Sequence, residues 1–352
     1  MKTIYIIPIE PIDARYTKQW YDNIPKLIAD MAQANNIDVN IVTVDGTAIP
    51  EGTTQGAFLD FAATNVYKAS QTVAVSELFM SGRVNPGDKF LVTDAWNFII
   101  TPIKYMSDLL GIPVEIHSCW HAGAYDPSDI LGMKMSKLWP ENAERSWFYA
   151  SDYNYYATEF HREMFINNLK IHPSQTYRAV RSGQPHNPNI DSLESYQSTE
   201  KLPQIMWPHR LNSDKQPEIA FDLAKQFDFK ITQQMSLSKS DYYKLLGQSK
   251  IVFSCALHEN LGISIMEGCL TGAIPIVPDR CSYREMYLPE FKYPTEWTSS
   301  IENYNKYKED LVHFINDKVK NFLQYEDSVK QQQQIIKENY FNADIMFKKL
   351  LG

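Results

Sequence analysis

Apolar residues in the first part of the chain form short continuous runs that are separated by stretches with helical spacing. The continuous runs predict buried strands at 3–11, 38–46, 89–96 and 114–123. The helical spacing predicts helices at 17–35, 57–82 and 101–111. Pro25 lies inside the first helix and predicts a kink or an irregular first turn. Strand–helix alternation of this kind indicates a parallel sheet with helices on both faces.

A segment rich in Pro, Ser and Asn at 181–204 interrupts this alternation and is the predicted linker. After it, strands are predicted at 204–210, 228–235, 250–257 and 273–279. Helices are predicted at 215–227, 238–249 and 262–272, and most of 302–352 also has helical spacing. We therefore predict an α/β protein with two Rossmann-like domains and a ligand-binding cleft between them.

The chain has 352 residues, which is too long for one comfortable core and suits two domains. We place an N-terminal domain at 1–182 and a C-terminal domain at 183–325. A C-terminal helix at 326–352 follows them, and one arrangement has this helix packing back on the N-terminal domain.

The formal net charge is −8, so the chain is acidic. Proteins whose main task is non-specific nucleic-acid binding are normally basic. The charge therefore argues against DNA or RNA as a tightly held partner, although a local basic groove is compatible with it.

The four cysteines form no CxxC pair and have no zinc-site spacing; they are Cys119, Cys255, Cys269 and Cys281. Buried free thiols are the simplest interpretation and indicate a reducing compartment, so we expect a cytoplasmic location. No signal peptide precedes the first predicted strand, and no run of about 18 apolar residues occurs, so we expect no membrane partner.

Two carboxylates flank a predicted helix start in the segment ALHENLGISIMEGCLTGAIPIVPD at 256–279. Glu259 lies just before the helix and Glu267 lies about one turn inside it. The free backbone N–H groups of the first turn belong to Gly262, Ile263 and Ser264. Such a helix start is an anion site that suits a diphosphate.

A carboxylate beside a phosphate site repels the phosphate, but it can accept hydrogen bonds from the vicinal hydroxyls of a sugar. Glu259 and Glu267 therefore indicate a ligand with a sugar on each side of a diphosphate, which is a nucleotide sugar. Arg210 and Lys215 follow the preceding strand and supply the cations that such a ligand needs. The alternatives are a solvated helix face for the carboxylates and, for the cations, a surface ion pair.

The Glu259–Glu267 spacing, followed by a small-residue turn and an apolar strand with Pro275, resembles retaining GT-B glycosyltransferases of glycosyltransferase family 4. The Arg210–Lys215 spacing resembles the diphosphate-binding pair of the same family. The resemblance is good over roughly 204–290, whereas the N-terminal half is similar only in architecture.

A finer resemblance concerns nucleic-acid modification. The segment 256–286, with Trp-Pro-His-Arg at 207–210, is similar to GT-B mannosyltransferases that act on queuosine in tRNA. Size and layout are also similar to bacteriophage glycosyltransferases that decorate hydroxymethylcytosine in DNA. Both kinds of enzyme modify a hydroxyl carried by a base.

The resemblance implies roles for individual residues. It makes Glu259 the group that binds the donor sugar and Glu267 the group that binds the nucleotide ribose. The implied catalytic set is Arg210, Lys215, Glu259 and His121. The implied donor-binding set is Gly262, Ile263, Ser264, Glu267, Asn260 and Leu261. Asn260 and Leu261 depart from the Gly-Phe-Gly that usually follows the first Glu, so their sugar contacts are open.

The N-terminal half offers weaker candidates at the ends of predicted strands. His121 could contact the donor sugar, as a loop histidine does in many relatives, or could be a packed histidine. Asp94 could meet an acceptor hydroxyl or cap the next helix. The remaining acceptor candidates follow the first strand and are Glu10, Asp13 and Arg15.

Nucleic-acid bases could stack on Tyr153, Tyr155 or Tyr156. The alternative is that these tyrosines pack in the core.

No Asp-x-Asp follows a strand in the C-terminal half, and Asp126 and Asp129 have helix-cap spacing. We therefore expect no metal and no cofactor.

The expected activity is retaining transfer of a sugar from a nucleotide-diphosphate sugar, with UDP as the expected nucleotide. The expected acceptor is a hydroxymethylated base in double-stranded phage DNA, in the host cytoplasm. The rival interpretations are transfer to a surface polysaccharide or lipid-linked glycan, a GT-B epimerase, and a non-catalytic nucleotide-sugar-binding protein.

Overall fold

The computed structural model describes residues 1–12, 15–52, 54 and 59–352, which divide into two compact units. The first unit comprises Met1–His186 together with Ala343–Gly352, and the second comprises Asn187–Asn342. The sequence placed the domain limits at 182/183 and 325/326. Among the described residues, no helix is long and apolar enough to cross a membrane.

The first unit contains a six-stranded parallel sheet with the strand order β2-β1-β3-β4-β5-β6. Its strands are β1 (Lys2–Ile7), β2 (Val39–Thr43), β3 (Lys89–Val92), β4 (Glu115–Cys119), β5 (Tyr153–Tyr156) and β6 (Ala179–Arg181). Its helices are α1 (Tyr16–Ala34), α2 (Phe61–Met80), α3 (Ile100–Leu110), α4 (Ile130–Lys134), α5 (Leu138–Ala150) and α6 (Glu159–Asn168). Pro25 lies inside the continuous helix α1.

Alternate residues of β1 enter different cores. Tyr5 and Ile7 pack in one hydrophobic cluster, whereas Ile4 and Ile6 pack in another. Because side chains along a strand point to opposite faces, both faces of this sheet are covered. The continuous apolar run of β1 therefore follows from its central place in a parallel sheet.

The last helix of the chain belongs to the first unit. Helix α14 (Asp344–Leu351) packs on α1, and its buried residues Met346 and Phe347 join the cluster that contains Ile4. The N-terminal strand and the C-terminal helix thus share one core.

The second unit contains a five-stranded parallel sheet with the order β11-β10-β9-β7-β8. Its strands are β7 (Leu202–Trp207), β8 (Asp228–Ile231), β9 (Ser249–Phe253), β10 (Ile274–Pro278) and β11 (Lys292–Tyr293). Its helices are α7 (Ile190–Glu194), α8 (Pro217–Leu223), α9 (Lys239–Gln248), α10 (Ile263–Leu270), α11 (Tyr283–Met286), α12 (Ile301–Lys320) and α13 (Glu326–Asn339). The periodicity predicted neither the two-residue strand β11 nor the three-residue strand β6.

Candidate functional site

In the second unit, the loop 254–262 joins the carboxyl end of β9 to helix α10. Gly262 is the N-cap of this helix and has a φ of 76°. A Cβ atom at this position would lie 2.7 Å from a ring carbon of Tyr283. The helix start therefore requires glycine for both its backbone conformation and its space.

Lys215 lies beneath this loop. Its Nζ atom is 3.2 Å from Oε2 of Glu259 and 3.2 Å from Oδ2 of Asp214, and it donates a 2.5 Å hydrogen bond to the carbonyl oxygen of His258. The Lys215 side chain is buried, and that of Glu259 is 19% exposed. A largely buried ion pair thus lies just before the start of α10.

Mutual attraction keeps both partners of this pair charged. Burial raises the pKa of Glu259, but the charge of Lys215 outweighs it and holds that pKa at about 2. Burial lowers the pKa of Lys215, but Glu259 and Asp214 outweigh it and raise the net value. At neutral pH the loop therefore presents a carboxylate and an ammonium group side by side.

Arg210 lies on the connection between β7 and α8 that also carries Lys215. The Arg210 side chain is exposed, whereas Lys215 is buried. The two predicted cations thus share one loop but occupy different environments. The surface-pair alternative does not describe Lys215, because this lysine is buried and contacts Glu259 as well as Asp214.

Glu267 lies in α10 and contacts two tyrosine hydroxyls from α9. The hydroxyl of Tyr242 donates to Oε2 and that of Tyr243 donates to Oε1, each over 3.2 Å. Burial raises the pKa of Glu267 to about 7, and the tyrosine hydrogen bonds oppose this shift. Each carboxylate oxygen is thus held in place, and the group titrates near neutral pH.

The other predicted donor-binding residues line the same loop and helix start. Ile263 and Ser264 form the first turn of α10, and both are half-buried. Leu261 is buried, and Asn260 is half-buried. The structure therefore brings all the donor-binding candidates to one end of the second sheet.

His209 is a site residue that the sequence interpretation missed. It is buried, and its Nε2 atom lies 2.9 Å from Oγ of Ser254. Burial, reinforced by Lys215, lowers the pKa of His209 to about 3, so the ring is neutral. His209 lies in the motif Trp-Pro-His-Arg at 207–210, directly before the predicted Arg210.

In the first unit, three predicted residues follow neighbouring strands of the sheet: Glu10 after β1, Asp94 after β3 and His121 after β4. Oδ2 of Asp94 is 2.7 Å from Nζ of Lys68, and its Oδ1 accepts a 3.1 Å hydrogen bond from the N–H group of Trp96. Nothing in the sequence around Lys68 marks it as a partner of Asp94, because it lies in the middle of α2. Asp94 is thus both a turn-forming residue and half of a buried ion pair.

His121 is a packed, neutral histidine in this arrangement. Its Nε2 atom lies 2.7 Å from the carbonyl oxygen of Thr93, so Nε2 carries the proton and donates. Its Nδ1 atom lies 3.3 Å from the hydroxyl of Tyr16 and 3.4 Å from Nε2 of Gln184. Burial lowers the pKa of His121, and its ring centroid lies 4.8 Å from that of Trp20.

Glu10 is fully buried, and neither of its carboxylate oxygens has a hydrogen-bond partner within the described residues. Burial raises its pKa, and the nearby charge of Lys68 opposes this shift. Arg15 is half-buried, with its guanidinium carbon 5.9 Å from the ring centroid of Tyr16. Asp13 lies outside the described residues.

The tyrosines of β5 are mostly structural. Tyr155 and Tyr156 are 2% and 0% exposed, so a base has no access to either ring. Tyr153 is half-buried, and its ring centroid lies 4.6 Å from Nζ of Lys349. The stacking interpretation is therefore wrong for Tyr155 and Tyr156, because alternation along β5 buries both faces.

In the part of the chain that the structure describes, no group of three or more His, Cys, Asp or Glu side chains is placed to hold a metal ion. Asp129 accepts from the N–H group of Leu131 at the start of α4, as cap spacing predicts. Asp126 accepts from the N–H group of Ser128 in the same loop.

No family model matches the chain. The chain is similar to the tRNA-queuosine alpha-mannosyltransferase of Drosophila melanogaster, at 29% identity over 30% of this chain and 36% of that protein. The match thus spans about a third of the relative's length.

Solved structures match over nearly the whole chain. The sucrose-phosphate synthase of Thermosynechococcus elongatus matches with a TM-score of 0.62 at 8% identity, covering 99% of this chain and 97% of that one. An alpha-glucosyltransferase in complex with UDP and a 13-mer DNA containing an HMU base matches with a TM-score of 0.55 at 13% identity, with the same coverage. These similarities, with the two parallel sheets and their helices, show that the chain has the GT-B fold.

Proposed function

We propose that this protein is a retaining glycosyltransferase that uses a nucleotide-diphosphate sugar, with a UDP-sugar as the first choice. The observation that carries the proposal is the buried Lys215–Glu259 pair, with a 3.2 Å separation, immediately before the glycine-capped start of α10. A cation and a helix N-terminus suit a diphosphate, and the carboxylate suits sugar hydroxyls. The similarity to a tRNA-queuosine alpha-mannosyltransferase supports the same class of reaction.

In the proposed mechanism, Arg210, Lys215 and the first N–H groups of α10 stabilise the departing diphosphate, whose negative charge grows in the transition state. The acceptor oxygen forms a bond to the anomeric carbon while the bond from that carbon to the diphosphate oxygen breaks. The acceptor proton passes to the departing phosphate on the same face of the sugar, so configuration is retained without an enzymic nucleophile. Glu259 binds hydroxyls of the donor sugar, and Glu267 binds the ribose.

The favoured acceptor is a hydroxymethylated base in DNA. One supporting observation is that a structural neighbour binds DNA with an HMU base. Another is that Asp94, 2.7 Å from the ammonium group of Lys68, follows β3 at the edge of the parallel sheet where ligands of such folds bind. A phage protein of this kind would act in the host cytoplasm.

The test incubates the protein with a panel of nucleotide sugars and with duplex DNA that carries hydroxymethylcytosine, hydroxymethyluracil or neither. We expect mass spectrometry of the digested DNA to find one added sugar, only on the hydroxymethylated base. Unmodified DNA is the matched control for the acceptor.

The other outcomes separate the rivals. Sugar transfer to a glycan or lipid acceptor alone would overturn the DNA proposal while keeping the enzyme class. Conversion of the donor to another nucleotide sugar would identify an epimerase. Tight donor binding with neither transfer nor slow donor hydrolysis would identify a non-catalytic binding protein.

A further inference from the structure

The residues between β10 and α11 contact the loop 254–262 one after another. Arg280 donates from Nε to the carbonyl oxygen of Ala256 over 2.8 Å and from Nη2 to that of Cys255 over 2.9 Å. Cys281 contacts the carbonyl oxygen of Leu257, with Sγ at 3.4 Å. The segment thus follows the main chain of the loop at its start.

The next two residues also contact this loop. Ser282 donates from Oγ to the carbonyl oxygen of Glu259 over 2.9 Å. The hydroxyl of Tyr283 donates to Oγ of Ser254 over 3.2 Å, and its ring fills the space where a side chain at Gly262 would stand. We call residues 280–283 the clamp segment, because its four side chains contact the loop from 254 to 262.

Arg280 is unusual because its charge is buried without a carboxylate. The residue is 9% exposed, and its remaining hydrogen bonds go to Thr295 and to the carbonyl and hydroxyl oxygens of Thr298. Within the described residues, none of its five hydrogen bonds ends on an acidic side chain. Burying a cation in this way is costly, so the carbonyl contacts must be well formed to hold it.

A second side chain, from the loop between β7 and α8, holds the same carbonyl group. Nε2 of Gln216 donates to the carbonyl oxygen of Cys255 over 2.5 Å, and Gln216 directly follows Lys215. The main chain at Cys255 is therefore fixed both to the clamp segment and to the loop that carries the buried lysine. Hydrogen bonds therefore fix the main chain of the loop at both Cys255 and Glu259.

We infer that Arg280 is a positioning residue for the donor sugar, acting through the main chain of the loop that presents Glu259. The inference rests on the proposed function, since it assigns the loop to donor binding. Arginine suits the task because its planar fork offers several donors in fixed directions, whereas a lysine ammonium is a single point charge. Charge alone at this position would leave Cys255 and Ala256 less well held.

The test compares Arg280→Lys with wild type in the full-length chain, by amide hydrogen exchange and by calorimetric binding of UDP and of a UDP-sugar. Arg284→Lys is the matched control, because Arg284 lies in the same stretch with a 68% exposed side chain and contacts Asp279 rather than the loop. We expect Arg280→Lys to speed exchange within 254–262 and to weaken UDP-sugar binding by about tenfold, more than it weakens UDP binding. A general loss of stability would affect both ligands alike.

Wild-type exchange in 254–262 together with wild-type UDP-sugar affinity in Arg280→Lys would overturn the inference. If Arg280→Lys does not fold, Ser282→Ala removes only the side-chain hydrogen bond to the carbonyl oxygen of Glu259, to which the N–H group of residue 282 also donates over 3.4 Å. This variant is expected to produce the same selective loss, several-fold in size. An unaltered Ser282→Ala protein would then overturn it. If the wild type binds no nucleotide, the proposed function fails, and the exchange comparison alone still decides whether Arg280 fixes the loop.

Discussion

Glu267 is held by the hydroxyls of Tyr242 and Tyr243, and its pKa is raised to about 7 chiefly by burial. An ionised carboxylate accepts from both ribose hydroxyls, whereas a protonated one has lost an acceptor position. If Glu267 binds the ribose as proposed, its protonation state sets how well the ribose is held near neutral pH.

We predict that UDP affinity rises by several-fold between pH 6 and pH 8, as Glu267 ionises. Tyr243→Phe removes a hydrogen bond that favours the ionised form, so the pKa of Glu267 rises and the binding curve moves to higher pH. Calorimetric titrations of UDP across this pH range measure the effect. Glu267→Gln is the control, and a wild-type profile as flat as that of Glu267→Gln would contradict the role given to this carboxylate.

At the scale of elements, helix α5 carries the fully buried Glu144 beneath the loop after β4. Its Oε1 atom accepts from Nε1 of Trp96 over 2.8 Å and from the N–H group of Ala124 over 2.5 Å. Its Oε2 atom has no hydrogen-bond partner within the described residues. Burial raises the pKa of Glu144 to about 7, so ionising this residue opposes folding.

We predict that Glu144→Gln raises the free energy of unfolding at pH 8 by about 2 kcal/mol and changes it little at pH 4.5. A carboxyl whose folded pKa is raised loses stability as pH rises from its unfolded value, near 4.5, through about 7. Glutamine keeps the acceptor atom and has no such loss. Urea unfolding at the two pH values measures the difference, and an equal effect at both would contradict the buried titration.

Strand and helix positions could be predicted because they depend on local periodicity, as in β1 and α10. The Lys68–Asp94 pair could not be predicted, because it joins a helix to a strand end 26 positions away. The contacts of Arg280 could not be predicted from the sequence either, because a single arginine after a strand forms no recognisable spacing pattern. The carboxylates near α10 were visible because helix start, glycine and acidic residues lie within nine consecutive positions, 259–267.

At the scale of the whole molecule, the chain returns to its first unit through α14. Met346, Phe347 and Leu350 are all at most 2% exposed and pack near Trp20 and Ile24 of α1. Each buried side chain of this kind contributes about 2 kcal/mol, so the helix contributes several kcal/mol to the first unit.

We predict that ending the chain after Asn342 destabilises the first unit selectively. Hydrogen exchange should become much faster in β1 and α1, while β9 and α10 of the second unit keep their wild-type protection. Ile345→Ala is the matched control, because that residue is 44% exposed in the same helix. Unchanged exchange in β1 after truncation would show that α14 is dispensable for the core.

The central residue of the proposed site is Lys215, whose ammonium group contacts Glu259 before the start of α10. Removing it should leave the diphosphate charge poorly stabilised in the transition state and Glu259 without its buried partner. Its matched control is Lys225→Ala, since Lys225 is an exposed lysine paired only with Asp222 in the described residues.

The most direct measurement is the rate of UDP release from the preferred UDP-sugar, with acceptor present, for wild type, Lys215→Ala and Lys225→Ala. We expect a fall of at least about a hundredfold for Lys215→Ala and wild-type turnover for Lys225→Ala, with both proteins folded. Wild-type turnover in a folded Lys215→Ala protein would contradict the assignment of the site.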